Sequence, residues 1–303
     1  MPVSLDSLTR RRFLALASAG VVVVRPNSGR AADANPHRVA FLSDPHIPEK
    51  AATIDRDCNM TDRLKQVAAE VEKLDPKPAC AIVDGDLAHK TGTAAEYAAF
   101  AGLIEPVRTA GIPLHLTLGN HDHFGRFAEA LDTLRPRVRP VDGKQVLVVE
   151  LERANLFVLD SFDPKNAVGG ILGASQLKWL AAALDARKDK PTLVFAHHPL
   201  QFEADKGGKY NGLADASDLW PLLKDRPQVK AYVFGHTHTW KLAEKDGIHL
   251  INLPAIGYPF AKGEVTGWVD VRLNATGAKL AVRAIDPKHA KHGTTTELNW
   301  RKG

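Results

Sequence analysis

Along this 303-residue chain, apolar residues gather in short, nearly unbroken runs at 39–42, 79–83, 114–118, 193–196 and 231–234. A run without polar alternation predicts a strand buried on both faces, as in a sheet covered by other layers. Between the runs the period changes. Leu64, Val67, Ala68 and Val71 share one face of a helix predicted near 61–74. Leu177, Leu180, Ala181 and Leu184 mark another near 175–186, and 96–110 is a third. Strands alternating with helices predict a layered α/β fold. The second half is richer in strand. Segments 146–150 and 155–160 read as a hairpin around Arg153-Ala154, and 265–273 and 278–285 as another turning at 274–277. Residues 287–303 are polar and read as a loose tail. No repeat or low-complexity linker divides the chain, so 35–303 reads as one domain.

Each of the five runs is followed by one polar motif. In order these are Asp44-Pro45-His46, Gly85-Asp86, Gly119-Asn120-His121-Asp122, His197-His198-Pro199 and Gly235-His236-Thr237-His238. Sites in open α/β sheets form beyond the carboxyl ends of strands, so five such loops can converge. Asp44 and His46 are two apart, and an extended strand end would turn both to one side; His236 and His238 repeat the spacing. Asp86 supplies a carboxylate able to bridge two cations. Asn120 offers a carbonyl oxygen, and His197, His236 and His238 offer imidazoles. Mixed oxygen and imidazole donors suit Mn, Fe, Zn or Co better than Ca or Mg.

This order of motifs resembles the calcineurin-like metallophosphoesterase superfamily, from about residue 38 to about residue 255. The resemblance implies a sandwich of two mixed β-sheets flanked by α-helices. It implies one metal ion on Asp44, His46, Asp86 and His238, and a second on Asp86, Asn120, His197 and His236. Glu96-Tyr97, Ile112-Pro113 and Gln176-Leu177-Lys178-Trp179-Leu180 are similar to the class III cyclic-nucleotide phosphodiesterase group. Two ions about 3.5–4 Å apart lower the pKa of a bridging water from about 15.7 to about 7 and stabilise in-line attack on phosphorus. By the family pattern, His121 protonates the leaving alkoxide, with Asp122 orienting it and raising its pKa. The chain also departs from relatives. His89 stands where purple acid phosphatases place a tyrosine, and His123 where many relatives carry an acid. His198 is open between packing and substrate contact, and His115 reads as structural. His249, His289 and His292 read as surface groups. The Gly-rich loop holding Lys209, Tyr210 and Asn211 reads as solvated.

Composition changes the picture at the N-terminus. Thr9-Arg10-Arg11-Arg12-Phe13-Leu14 resembles the bacterial twin-arginine export signal, and a 12-residue, mostly apolar run follows it. That run is short for a bilayer span of about 20 residues. Residues 1–34 are therefore expected to be a signal peptide engaging the twin-arginine machinery, with small residues near Ala31, Ala32 and Ala34 for cleavage. The expected location is periplasmic or secreted, with no stable membrane anchor. The formal charge of +5 includes +3 from residues 1–34, so the remainder carries only +2. That balance gives no electrostatic case for nucleic acid. Neither Cys58 nor Cys80 is part of a motif, so thiolate ligation is not expected; a disulfide is possible in an oxidising compartment but not indicated.

The expected activity is hydrolysis of a small phosphodiester or phosphomonoester. A nuclease of the same superfamily and a non-catalytic metal- or phosphate-binding module are the alternatives. The natural ester, the metals and the oligomeric state are left open by the sequence.

Overall fold

The computed structural model describes residues 23–24, 34–136 and 138–302. Fifteen strands form among them. The first seven are β1 (Val23–Val24), β2 (Asn35–Ser43), β3 (Ile54–Asp55), β4 (Cys58–Asn59), β5 (Pro78–Asp84), β6 (Leu114–Thr117) and β7 (Leu147–Glu150). They are followed by β8 (Asn155–Val158), β9 (Thr192–Phe195), β10 (Val229–Phe234), β11 (Lys241–Lys245) and β12 (Ile248–Asn252). The last three are β13 (Gly267–Leu273), β14 (Gly277–Ala284) and β15 (Thr295–Asn299). The helices are α1 (Met60–Glu72), α2 (Ala94–Thr109), α3 (Phe124–Ala130), α4 (Ala174–Asp185) and α5 (Ala216–Lys224).

Two mixed sheets face each other. One has the order β1-β7-β8-β9-β10-β12-β11, the other β15-β14-β13-β2-β5-β6. β2, β5 and β6 run parallel, as do β8, β9, β10 and β12. Alternation along β2 explains its unbroken apolar run. Val39 and Phe41 enter the core between the sheets, while Ala40 and Leu42 pack with residues of α1 and α2. Phe41 meets Phe195 of the other sheet edge-on, ring centroids 4.8 Å apart. On the first sheet, Phe157, Val194 and Tyr232 pack with Trp179, Leu180, Leu219 and Trp220 of α4 and α5. The result is helix, sheet, sheet, helix.

Local chemistry sets the helix starts. Asn59 Oδ1 accepts from the Asp62 amide at α1, and Thr93 and Glu96 close a capping box at α2. Among the described residues, the tail expected to be loose over 287–303 contains a paired strand. β15 pairs antiparallel with β14 along its whole length, and its polar sequence is that of an exposed edge strand. Both cysteines are buried. The expected signal peptide lies outside the described residues except for Val23-Val24, which pair parallel with Val148-Val149, and Ala34. No helix among the described residues is long and apolar enough to cross a membrane.

Candidate metal centre

Backbone pairing carries the strand order on into the loops. Asp44, His46 and Ile47 donate their amides to the carbonyls of Gly85, Asp86 and Leu87, so the loops after β2 and β5 run side by side. The loop after β12 joins them, with Ile256 and Gly257 donating to Ser43 and Asp44 carbonyls. Asp44, His46, Asp86, His236 and His238 all have φ between +48° and +66°. Side chains other than glycine rarely occupy this region, at a cost of order 1–3 kcal/mol each. The expected reason for Asp44 and His46 sharing a side was an extended strand end. That reason is wrong. Left-handed backbone beyond the strand aims both, and the same holds for His236 and His238.

Two groups of donors result. Asp44, His46, Asp86 and His238 form one, and Asp86, His197 and His236 the other, each with its donor atoms within 4.8 Å of one another. Asp86 belongs to both. Its Oδ2 lies 3.5 Å from His46 Nε2 and 3.3 Å from His197 Nε2. Asp44 Oδ1 lies 3.3 Å from His238 Nε2, and the Nε2 atoms of His46 and His238 are 3.0 Å apart. Asn120 joins the second group, its Oδ1 3.0 Å from His236 Nδ1 and its amide nitrogen donating to the Ala167 carbonyl. All seven sequence-predicted ligand residues thus meet at one place.

The outer nitrogens are fixed by backbone. His197 Nδ1 faces the Asp84 carbonyl at 2.8 Å, His238 Nδ1 the Tyr258 carbonyl at 2.6 Å, and His46 Nδ1 the His89 carbonyl at 3.4 Å. Each pairing assigns the proton to Nδ1 and turns Nε2 inward, the arrangement metal-ligating histidines use. His197 Nε2 is buried and has no hydrogen-bond partner among the described residues. An orphaned inward ring nitrogen beside two carboxylates fits a transition-metal ion.

The charges divide the imidazoles. Burial alone would lower His197, but the Asp86 and Asp44 carboxylates outweigh it and hold it well above its usual value, so its ring carries a proton that a metal ion would displace. Burial pushes His46 down to about 3 and His236 down to about 4, so both are neutral donors at neutral pH. Burial alone would raise Asp44, but the His197 and His238 imidazoles outweigh it and hold it at about 2. Burial alone would also raise Asp86, but the surrounding imidazoles, His197 first, together outweigh it and hold it well below the usual carboxylate range. Close packing is part of the design. A methyl on Gly119 would run into Asp86 Oδ1, and one on Gly235 into Ser43 and Asp44.

His121 sits beside the first group, its ring edge-on to His46 with centroids 4.8 Å apart. Its amide donates to Asp86 Oδ1, and its Nδ1 is buried without a partner among the described residues. Asp122 does not orient it. The Asp122 carboxylate instead accepts from the Leu87, Ala88 and Gly119 amides and the Tyr97 hydroxyl, tying the loop after β6 to the loop after β5 and to α2. Its expected role on His121 therefore has no hydrogen bond behind it. His198 has both ring nitrogens committed, to Ser161 Oγ and the Val168 carbonyl, and is fully buried. It packs His197 and His236 and leaves no nitrogen for substrate. His123 caps α3, accepting from the Arg126 amide. His89 pairs with Asp55 at 2.9 Å while its carbonyl holds His46.

The chain matches the Calcineurin-like phosphoesterase family over residues 37–240. The chain belongs to that family. It is a metal-dependent phosphoesterase. A probable cyclic nucleotide phosphodiesterase of Synechococcus sp. (strain WH7803) is 28% identical over 229 residues, covering 72% of this chain and 82% of that protein. A probable glycerophosphodiester phosphodiesterase of Arcobacter nitrofigilis is 29% identical over 204 residues, covering 66% and 71%. A dimetal phosphatase from Danio rerio has the same fold, with a TM-score of 0.64 over 87% of this chain and 99% of that one, at 13% identity.

The motifs did not announce the wall beside the first group. Tyr258 lies near-parallel to His46 at 4.8 Å, and Phe260 lies flat on His238 at 3.9 Å and 7°. The only sequence hint was a Gly-Tyr-Pro-Phe run at 257–260, just past the reach of the family resemblance.

Proposed function

We propose that this phosphoesterase is an exported two-metal enzyme that hydrolyses small phosphodiesters. The observation that carries the metal count is the sharing of Asp86 by two donor groups. Asp44, His46, Asp86 and His238 would hold one ion, and Asp86, Asn120, His197 and His236 the other. When bound, such a pair acidifies water and neutralises the phosphoryl oxygens.

The chain's own groups do the rest. The backbone carbonyls of Asp84, His89 and Tyr258 keep His197, His46 and His238 facing inward. Asn120 is held by Ala167 with its oxygen toward the centre. His121, next to the first group and not a member of either, donates the proton to the leaving alkoxide from its ring. Water is restricted on the side of the first group, where Asp44, His46, Asp86 and His238 are all buried.

The preference for diesters rests on the relatives, whose names are those of cyclic nucleotide and glycerophosphodiester phosphodiesterases. Hydrolysis of bis(p-nitrophenyl) phosphate against p-nitrophenyl phosphate, by protein lacking residues 1–34 and reconstituted with Mn, Fe, Zn or Co, tests it. Faster turnover of the diester is expected, and a monoester preference would overturn that part. Export rests on the Thr9-Arg10-Arg11-Arg12-Phe13-Leu14 motif. Replacing Arg10 and Arg11 by lysine should hold the protein in the cytoplasm on cell fractionation; unchanged export would reject the twin-arginine route.

A further inference from the structure

The hairpin β3–β4 turns on two residues only, since Asp55 pairs with Cys58. Arg56 and Asp57 have φ of +46° and +61°. Positive φ at both centre positions is a type I′ turn, which asparagine and glycine ordinarily fill. An arginine here is held in a conformation its side chain disfavours, and held beside the metal centre. Asp55 binds His89 Nε2 at 2.9 Å, and the His89 carbonyl faces His46 Nδ1.

The turn places the Arg56 guanidinium carbon 5.1 Å from the Phe260 ring centroid and 5.7 Å from that of Tyr258. These are the two rings stacked on His238 and His46. Arg56 forms no ion pair among the described residues. Phe260 is 51% exposed, a large apolar ring left in water at the lip of an otherwise polar site. Arg56 lies over these rings, and its exposed guanidinium plane together with the exposed part of Phe260 offers a π surface. A flat, electron-rich ring binds such a surface; a glyceryl or alkyl chain gains little from it.

We propose that Arg56 and Phe260, backed by the buried Tyr258, form a stacking subsite for a planar aromatic group carried by the ester, so that the site favours aromatic over aliphatic phosphoesters. This rests on the phosphoesterase reading of the neighbouring donor groups. The ring can sit directly on the phosphorus substituent or one sugar away, as in a nucleotide.

Calorimetric binding to the metal-loaded protein tests it without turnover. One arm compares phenylphosphonate with methylphosphonate, the other adenosine 5′-monophosphate with ribose 5-phosphate. The aromatic member of at least one pair is expected to bind about tenfold tighter, the worth of one stacked ring. The pair that responds gives the distance of the ring from phosphorus. Phe260→Ala and Arg56→Gly should each reduce that ratio several-fold, and glycine suits the turn, so the hairpin is kept. Arg56→Lys, which keeps the charge and loses the plane, should also reduce it. Equal affinities within both pairs, or a ratio that survives all three variants, overturns the subsite. Protein that neither binds methylphosphonate nor hydrolyses bis(p-nitrophenyl) phosphate would overturn the phosphoesterase reading, and the subsite with it.

Discussion

The two donor groups share Asp86 and differ in almost everything else. In the first, Asp44, His46, Asp86 and His238 are all buried, with His46 and His238 covered by Tyr258 and Phe260. In the second, His197 is buried, but His236 and Asn120 are partly open to solvent. The first is backed by backbone carbonyls on both of its imidazoles. In the second only His197 has that support, and His236 turns its Nδ1 inward against a neutral amide. A sealed group with two carboxylates should hold an ion tightly. An open one with one shared carboxylate should exchange it.

The largest effect that probes this contrast comes from the residue common to both groups. Asp86→Ala should remove turnover to below detection and leave less than one metal per chain by elemental analysis. Two metals retained with full turnover would mean that the groups are independent of Asp86. His121→Ala should lower kcat by about 10²–10⁴-fold, the usual worth of a positioned general acid, with metal content unchanged. Loss of metal in this variant would place His121 among the ligands.

Asn120→Ala breaks the symmetry. Dialysed against a chelator, the variant should lose one ion and keep the other, with the remaining ion in the Asp44 group by anomalous scattering. Loss of both together would contradict the contrast. His115, on β6 outside both groups, serves as the acid control. Burial holds it at about 4, below its usual 6.5, so the unfolded chain takes up a proton that the fold refuses. Its contribution is fully present above about pH 6.5 and is lost as pH falls toward 4, by roughly 3 kcal/mol. His115→Leu should flatten the urea-stability profile over that window, and an unchanged slope would assign the acid sensitivity elsewhere.

How much of this was legible in the sequence follows from what each residue contributes. β2, β5, β6, β9 and β10 were readable because burial on both faces leaves an unbroken apolar run. β11 and β15 were not, because Lys241–Lys245 and Thr295–Asn299 are polar edge strands whose only strand property is backbone pairing. The seven donor residues were readable because side-chain identity at a strand end is itself the signal. Asp122 was misassigned because adjacency to His121 in sequence says nothing of direction, and its carboxylate points to three backbone amides and Tyr97. Arg56, Tyr258 and Phe260 contribute through stacking and turn geometry, which no residue spacing encodes.

The central claim is that two ions on one shared carboxylate perform the hydrolysis. Its most direct test is turnover of bis(p-nitrophenyl) phosphate as manganese is titrated into metal-stripped protein lacking residues 1–34. The account predicts little activity at one equivalent and saturation at two. Full activity at one equivalent, or turnover in the stripped protein, would contradict it.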